Sequence, residues 1–368
     1  MKHSPLHAKH EALGAKMADF GGWLMPIEYP GGGVLAEHDA VRNRVGIFDV
    51  SHLGKISIVG PGAKDYVNQI LTNDLDQIKD GQAQYNLLCN ESGGVIDDII
   101  AYRKSESDIF LIPNAANCSK VFAVLTQSAP TELKLTNQHE DFAVIAIQGP
   151  NSKELLTKLH VKVELDYMSF TKGEIAGCEV IICRTGYTGE HGYEVLPKWS
   201  EASRVWDAIA ANLGDGLICG LGARDTLRTE MGYPLHGQEL SESISASISG
   251  ASWAIAFDKL NRSNQGKPGD FHGAKTLQAE KISGAARRLR GLKLIDRGIP
   301  RGHMAIVKDG DVIGETTSGT FSPTLKVGIA LGLVDTSYKV GDEVEIDVRG
   351  RKLKAEIVKL PMVTPHVK

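Results

Sequence analysis

The sequence predicts an α+β chain of two or three domains that ends in a small β-barrel or jelly roll. Three observations carry that reading. The chain has 368 residues, more than one hydrophobic core usually serves, since domains hold about 100–200 residues. Before about residue 285, strands and helices mix without the regular strand–helix repeat of a parallel sheet. Beyond that point the pattern is almost purely β, with short strands set off by Gly and Pro.

The elements follow in order. Leu6, Leu13 and Met17 share one face of an N-terminal helix that closes near Asp19-Phe20-Gly21-Gly22. Residues 55–59 alternate as a strand and stop at Gly60-Pro61-Gly62, where a helix with Val67, Ile70 and Leu71 begins. Residues 107–112 form another strand, and the helix after it buries Cys118, Val121, Phe122 and Leu125. Residues 142–147 and 178–183 are apolar runs too short for helices and are expected as strands. Ser200 is placed to cap a helix that turns Trp206, Ile209, Ala210 and Leu213 inward. A second helix follows Gly220-Leu221-Gly222, and the polar, Gly-rich residues 261–273 approach a domain boundary. Residues 344–348 and 353–357 alternate strictly around Arg349-Gly350-Arg351, as a half-buried hairpin requires.

Composition narrows the function. Hydrophobic residues make up 42% and charged residues 23%, a globular balance. Glycine is high at 40 residues, which implies tight turns and close backbone approaches. With a net charge of −4 and no dense Lys/Arg run, no nucleic-acid partner is expected. No apolar stretch approaches the roughly 18 residues of a membrane span. Residues 1–10 lack the apolar middle of a secretory signal, and no Arg-rich leader stands at the start. A cytoplasmic enzyme is expected, or a mature processed form such as one of the mitochondrial matrix. The five cysteines include no C-x-x-C pair, so reduced, buried thiols are expected rather than a zinc or redox site. His3, His7 and His10 have helix-face spacing, but no carboxylate at ligand spacing completes a site. No metal is expected.

Three segments concentrate chemistry. In the first, Asp97 and Asp98 interrupt an apolar strand-like run after Ser92-Gly93-Gly94. On a strand they face opposite sides, so one points to the interior or a cleft, where it needs a partner; a turn with both acids solvated fits equally well. The second runs Arg184-Thr185-Gly186-Tyr187-Thr188-Gly189-Glu190 and leads into Tyr193-Glu194. A Glu starting that strand offers two acceptor oxygens, which suits a heterocycle edge carrying an amino group beside a ring N–H. A solvated turn Glu is the plainer alternative. The third, Gly220-Leu221-Gly222-Ala223-Arg224-Asp225, opens a helix. Arg224 there clamps a ligand carboxylate or simply pairs with Asp225. No Rossmann, Walker or nucleophile-elbow motif is present.

Together these segments resemble the glycine cleavage T-protein family, and the resemblance runs through nearly the whole chain. It includes Leu13-Gly14-Ala15-Lys16-Met17 and Gly46-Ile47-Phe48-Asp49-Val50-Ser51-His52. It continues through Gln148-Gly149-Pro150, the three segments above and His236-Gly237-Gln238-Glu239. It ends at Thr317-Ser318-Gly319-Thr320-Phe321-Ser322-Pro323-Thr324. The resemblance implies a three-domain clover-leaf with folate in its central channel. A first domain is expected from residues 1–50 plus about 140–270, a second from about 51–139, and a C-terminal β-barrel or jelly roll from about 285–368.

The implied activity is that of an aminomethyltransferase, with tetrahydrofolate as co-substrate and the aminomethyl-lipoyl arm of an H-protein as donor. Ammonia is released and methylene-tetrahydrofolate is formed. The chain is expected to act as a monomer. The family's key acid falls on Asp98, with Asp97 as neighbour and Asp97→Asn expected to be the milder substitution. The implied folate contacts are Tyr85, Tyr102, Asn114, Tyr187, Glu194 and Arg224, with Tyr167. The chain departs from the family at Pro113, Thr229, Ala246 and the tail 361–368, which lacks the family's aromatic and Arg residues. Alternatives are a folate-dependent demethylase and a non-catalytic folate-binding protein. The latter carries a K-G-C-Y-x-G-Q-E signature that is absent from this chain.

Overall fold

The structure, a computed structural model, describes residues 1–260 and 270–368. The expected boundary at 261–273 therefore lies outside the described residues up to 269. Two large sheets face each other and a barrel closes the chain. The first sheet has six strands in the order Phe170–Ile175, Cys178–Cys183, Gly192–Pro197, Ile145–Gln148, Gly46–Asp49 and Leu217–Cys219. Its last pair is parallel and the rest are antiparallel. Alternation sends Ile47, Ile145, Ile147 and Val195 to one face, where Leu155, Val205 and Trp206 of two helices cover them. Phe48, Ala146 and Leu196 point the other way.

The second sheet is antiparallel, in the order Gln82–Cys89, Val95–Ser105, Asp108–Ile112, Ile56–Val59 and Lys134–Asn137. Helices Ala63–Ile70 and Cys118–Gln127 bury its outer face through Val67, Val121 and Leu125. Its inner residues Ala83, Tyr102, Phe110 and Ile112 join Phe48, Ala146 and Leu196 in one shared core. The edge of that shared core is where a ligand-sized space opens.

The final domain is a closed barrel of six strands, so the barrel alternative holds over the jelly roll. The order is Arg287–Leu294, Val327–Asp335, Asp311–Ser322, Ala305–Lys308, Glu343–Val348 and Arg351–Val358. Pairing of the first and last strands removes the open edges. In the expected hairpin Val348 pairs directly with Arg351. The turn is thus Arg349-Gly350 alone, with φ of 57° and 84°, the positive values a two-residue hairpin loop needs.

Several local expectations change. The N-terminal helix is only His7–Ala12. Met17 lies instead in the strand Lys16–Phe20, which pairs with Trp23–Glu28. Gly21 and Gly22, with φ of 60° and 86°, supply the turn, and the helical spacing of Leu13 and Met17 is incidental. Ser200 does not cap its helix: it sits in the short turn Trp199–Glu201 that precedes Ala202–Ala211, and no side chain caps that start. His10 is buried, bonded to Asp49 at 2.9 Å and to the Tyr29 hydroxyl at 2.8 Å. All five cysteines are free and buried.

The G-L-G segment has a packing reason. A Cβ on Gly220 would lie 2.3 Å from the Ile27 carbonyl, and one on Gly222 would lie 2.6 Å from Val34. The two glycines let the helix Leu221–Met231 rest on the strand Trp23–Glu28. That contact aims the helix's first turn, and with it Arg224, at the gap between the sheets.

Candidate functional site

A cavity of about 390 Å³ opens between the two sheets, within the size range of small-molecule sites. The strands Gln82–Cys89 and Val95–Ser105 contribute Tyr85, Asp98 and Tyr102, and Asn114 follows the next strand. The opposite side carries Tyr167, Thr185, Tyr187 and Glu194, and the helix Leu221–Met231 adds Arg224. All eight residues singled out in the sequence line this one space.

Asp98 lies on the cavity and Asp97 on the far side of the strand, completely buried. The Tyr85 hydroxyl donates to Asp98 Oδ2 at 3.1 Å, and Asn114 Nδ2 donates to Asp98 Oδ1 at 2.6 Å. Burial raises the Asp98 carboxyl above the ordinary carboxylate range, although the charge of His236 and these two donors oppose the shift. Asp97 is pushed up to about 7 by burial and by the charge of Asp98, against hydrogen bonds from Asn117 and Asn114. Burial and the adjacent Asp98 likewise raise Tyr85 well above its usual value, keeping it a donor.

Glu194 belongs to a buried strand and is only 9% exposed. The Thr185 hydroxyl donates to its Oε2 at 2.6 Å, so the solvated-turn alternative does not hold. Arg224 does not pair with Asp225, which instead binds Arg228 at 2.8 Å. The Arg224 guanidinium lies 4.5 Å over the Tyr187 ring, a cation–π contact that leaves its edge donors for a ligand. The Tyr187 hydroxyl donates to the Pro234 carbonyl. The Tyr102 hydroxyl is buried with no hydrogen-bond partner among the described residues.

The sequence did not mark Phe20, His52, Tyr233 or Trp253 as ligand contacts, yet they also line the cavity. Trp253 stacks on Tyr85 with ring centroids 5.2 Å apart while remaining 68% exposed. It stands among small residues with no motif around it, so only the fold brings it to the site. His52 lay within a quoted motif but carried no separate signal. Burial and the Arg224 charge push its imidazole down to about 3, so it is neutral in the physiological range.

The C-terminal tail packs on the segment that carries Thr185 and Tyr187. The His366 N–H donates to the Gly189 carbonyl at 2.7 Å, and Arg184 donates to the Val367 carbonyl at 2.7 Å. The other family motifs also have places. Glu239 accepts from Arg228, Thr317 and Ser318, joining the helix Leu221–Met231 to the barrel. Glu230 binds Arg42 at 2.8 Å and accepts from Ser322 and Thr324. Of the departures, Thr229 bonds back within its own helix to the Asp225 carbonyl, and Ala246 packs in a core.

Residues 6–259 match the GCVT N-terminal domain family, and residues 287–363 match the glycine cleavage T-protein C-terminal barrel domain. The chain is 54% identical over 368 residues to an aminomethyltransferase of Parafrankia sp. (strain EAN1pec), covering 99% of this chain and 98% of that protein. It is 50% identical over 365 residues to an aminomethyltransferase of Mycobacterium tuberculosis, covering 98% and 96%. The crystal structure of glycine cleavage system aminomethyltransferase T from Bartonella henselae matches with a TM-score of 0.91 at 32% identity, covering 99% of both chains.

Proposed function

Since the chain belongs to the glycine cleavage T-protein family and is an aminomethyltransferase of that system, we propose that its cavity binds tetrahydrofolate and that its donor is the aminomethyl-lipoyl arm of an H-protein. The observation that carries this reading is the convergence of Glu194 and Asp98 on one largely apolar cavity. Glu194, oriented by Thr185, accepts from the amino group and ring N–H of the pterin edge. The aromatic rings of Tyr85, Tyr102, Tyr167 and Tyr187 bracket the ring system, and Arg224 offers its guanidinium to an anionic part of the ligand.

In the transfer, the two folate nitrogens bond to the aminomethyl carbon as its bonds to nitrogen and sulfur break. Their two protons leave with the ammonia and the lipoyl sulfur. Cationic character develops beside the attacking nitrogen, and the fixed Asp98 carboxylate stabilises it where water is scarce. Its raised affinity for protons also suits it to take up a proton as the nitrogen becomes tertiary.

Two expectations test the substrates. Glu194→Gln loses a charge-assisted acceptor and turns a donor toward the pterin N–H, or toward Thr185. Tetrahydrofolate should bind about 1.5–3 kcal/mol more weakly by calorimetry, the range for hydrogen bonds to charged groups; unchanged affinity removes Glu194 from the ligand. The second concerns the donor. The isolated chain should form negligible methylene-tetrahydrofolate from free glycine, and rapid formation without H-protein would contradict the proposed donor.

A further inference from the structure

We propose that Asp97 is a positioning residue for the transfer: it fixes Asn114, and Asn114 fixes the carboxylate of Asp98. The inference rests on the reading of Asp98 as the acid beside the reacting nitrogen. Asp97 is completely buried and takes no part in the cavity wall. Its Oδ2 accepts from the Asn114 backbone N–H at 2.9 Å. Its Oδ1 accepts from Asn114 Nδ2 at 2.9 Å and from Asn117 Nδ2 at 2.7 Å. A buried carboxylate is tolerated only when such donors surround it. Here the donors come from the loop that leads into the helix Cys118–Gln127, so the acid ties that loop to the strand Val95–Ser105.

The tie has a direction. Asn114 Nδ2 also donates to Asp98 Oδ1 at 2.6 Å, so one amide group serves both carboxylates. Turning that amide over would set its oxygen against two acceptors, which fixes its orientation from the network itself. Asp98 is then held between Asn114 on one oxygen and Tyr85 on the other. Strand alternation alone suggested that Asp97, on the opposite face, matters little. The structure instead couples it to the reacting side through one side chain.

Substitution shows why Asp97 and Asp98 differ. The change Asp97→Asn replaces one acceptor oxygen with an NH₂ group. If that group faces the Asn114 backbone, two donors meet. If it faces the side-chain amides, Asn117 can turn over, but Asn114 cannot without opposing Asp98. Either way Asn114 is displaced and Asp98 loses its fixed rotamer. A displacement near 1 Å at a reacting group costs up to about 10²-fold in rate.

The experiment compares Asp97→Asn, Asn114→Ala, the double variant and Asp98→Asn. It reads single-turnover rates with lipoylated H-protein at saturating tetrahydrofolate, tetrahydrofolate Kd and thermal midpoints. Asp97→Asn and Asn114→Ala should each slow transfer by about 10- to 100-fold, and Asp97→Asn, at a residue that does not line the cavity, should change Kd less than about threefold. The double variant should be no slower than the slower single one, because both act through one contact. Multiplying losses in the double variant would overturn the proposal. So would normal rates for Asn114→Ala, a test that stands even if Asp97→Asn does not fold. A normal rate for Asp97→Asn beside a slow Asp98→Asn would overturn it as well. If Asp98→Asn is itself normal, the functional reading of Asp98 fails first.

Discussion

Asp98→Asn is expected to lower single-turnover transfer by about 10²-fold or more, the usual cost of losing one preorganised electrostatic group. The surroundings make this substitution a clean test of charge. The introduced amide can keep its oxygen toward Asn114 Nδ2 and turn its NH₂ toward Tyr85. A tyrosine hydroxyl both donates and accepts, so the Tyr85 contact survives with its direction reversed. Folding and tetrahydrofolate affinity should therefore change little. A tenfold loss corresponds to about 1.4 kcal/mol at the transition state, so the expected effect is about 2.7 kcal/mol. Rates under saturating tetrahydrofolate and H-protein give the answer, and near-normal transfer would show that the carboxylate charge is not used.

The second large effect concerns stability, at the seam between the barrel and the rest of the chain. Glu239 is fully buried. Its Oε2 accepts from Arg228 at 2.9 Å and from the Leu235 N–H at 3.0 Å, while Oε1 accepts from Thr317 and Ser318 at 2.6 Å each. Burial alone would lower the proton affinity of Arg228, yet the Glu239 charge holds it above its ordinary value. Among the described residues, Glu239→Ala leaves the buried guanidinium with Asp225 as its charged partner and takes the acceptor away from the Thr317 and Ser318 hydroxyls. The expected loss is about 3–5 kcal/mol, the range for breaking a buried pair by removing one partner. By contrast, Glu164→Ala removes a pair with Lys153 in which Glu164 is 87% exposed, and should change stability by no more than about 1 kcal/mol. Urea denaturation followed by tryptophan fluorescence separates the two. A Glu239→Ala loss below about 1 kcal/mol would mean that the Glu239 network contributes little to the seam. Because Tyr233 and Leu235 line the cavity and bond to Arg228 and Glu239, the variant should also weaken tetrahydrofolate binding.

Local pattern was enough to read much of the fold. The strict alternation of residues 344–348 and 353–357 and the turn between them specify a hairpin, because side-chain period and turn chemistry act over a few residues. Asp98, Tyr187, Glu194 and Arg224 lie in segments legible in the sequence itself, whereas Tyr85, Tyr102, Asn114 and Tyr167 follow only from the family resemblance; the fold brings all eight to one cavity. Where local signals competed, the nearer geometry won. Gly21-Gly22 turned the stretch around Met17 into a strand pair although Leu13 and Met17 had helical spacing.

Only the tertiary structure decided what the polar residues do, since their partners are far away along the chain. Arg224 and Asp225 are neighbours in the chain, but helical geometry sends one to the cavity and the other to Arg228, a turn further on. Glu239 meets Thr317 across 78 residues of chain, so the two motifs are halves of one buried network and not separate ligand contacts. Trp253 reaches the cavity only because its segment packs beside the strand of Tyr85. Asp97 and Asp98 are adjacent and chemically identical in sequence. The fold gives one to three amide donors and the other to the cavity, because hydrogen bonding and burial depend on what arrives from elsewhere in the chain.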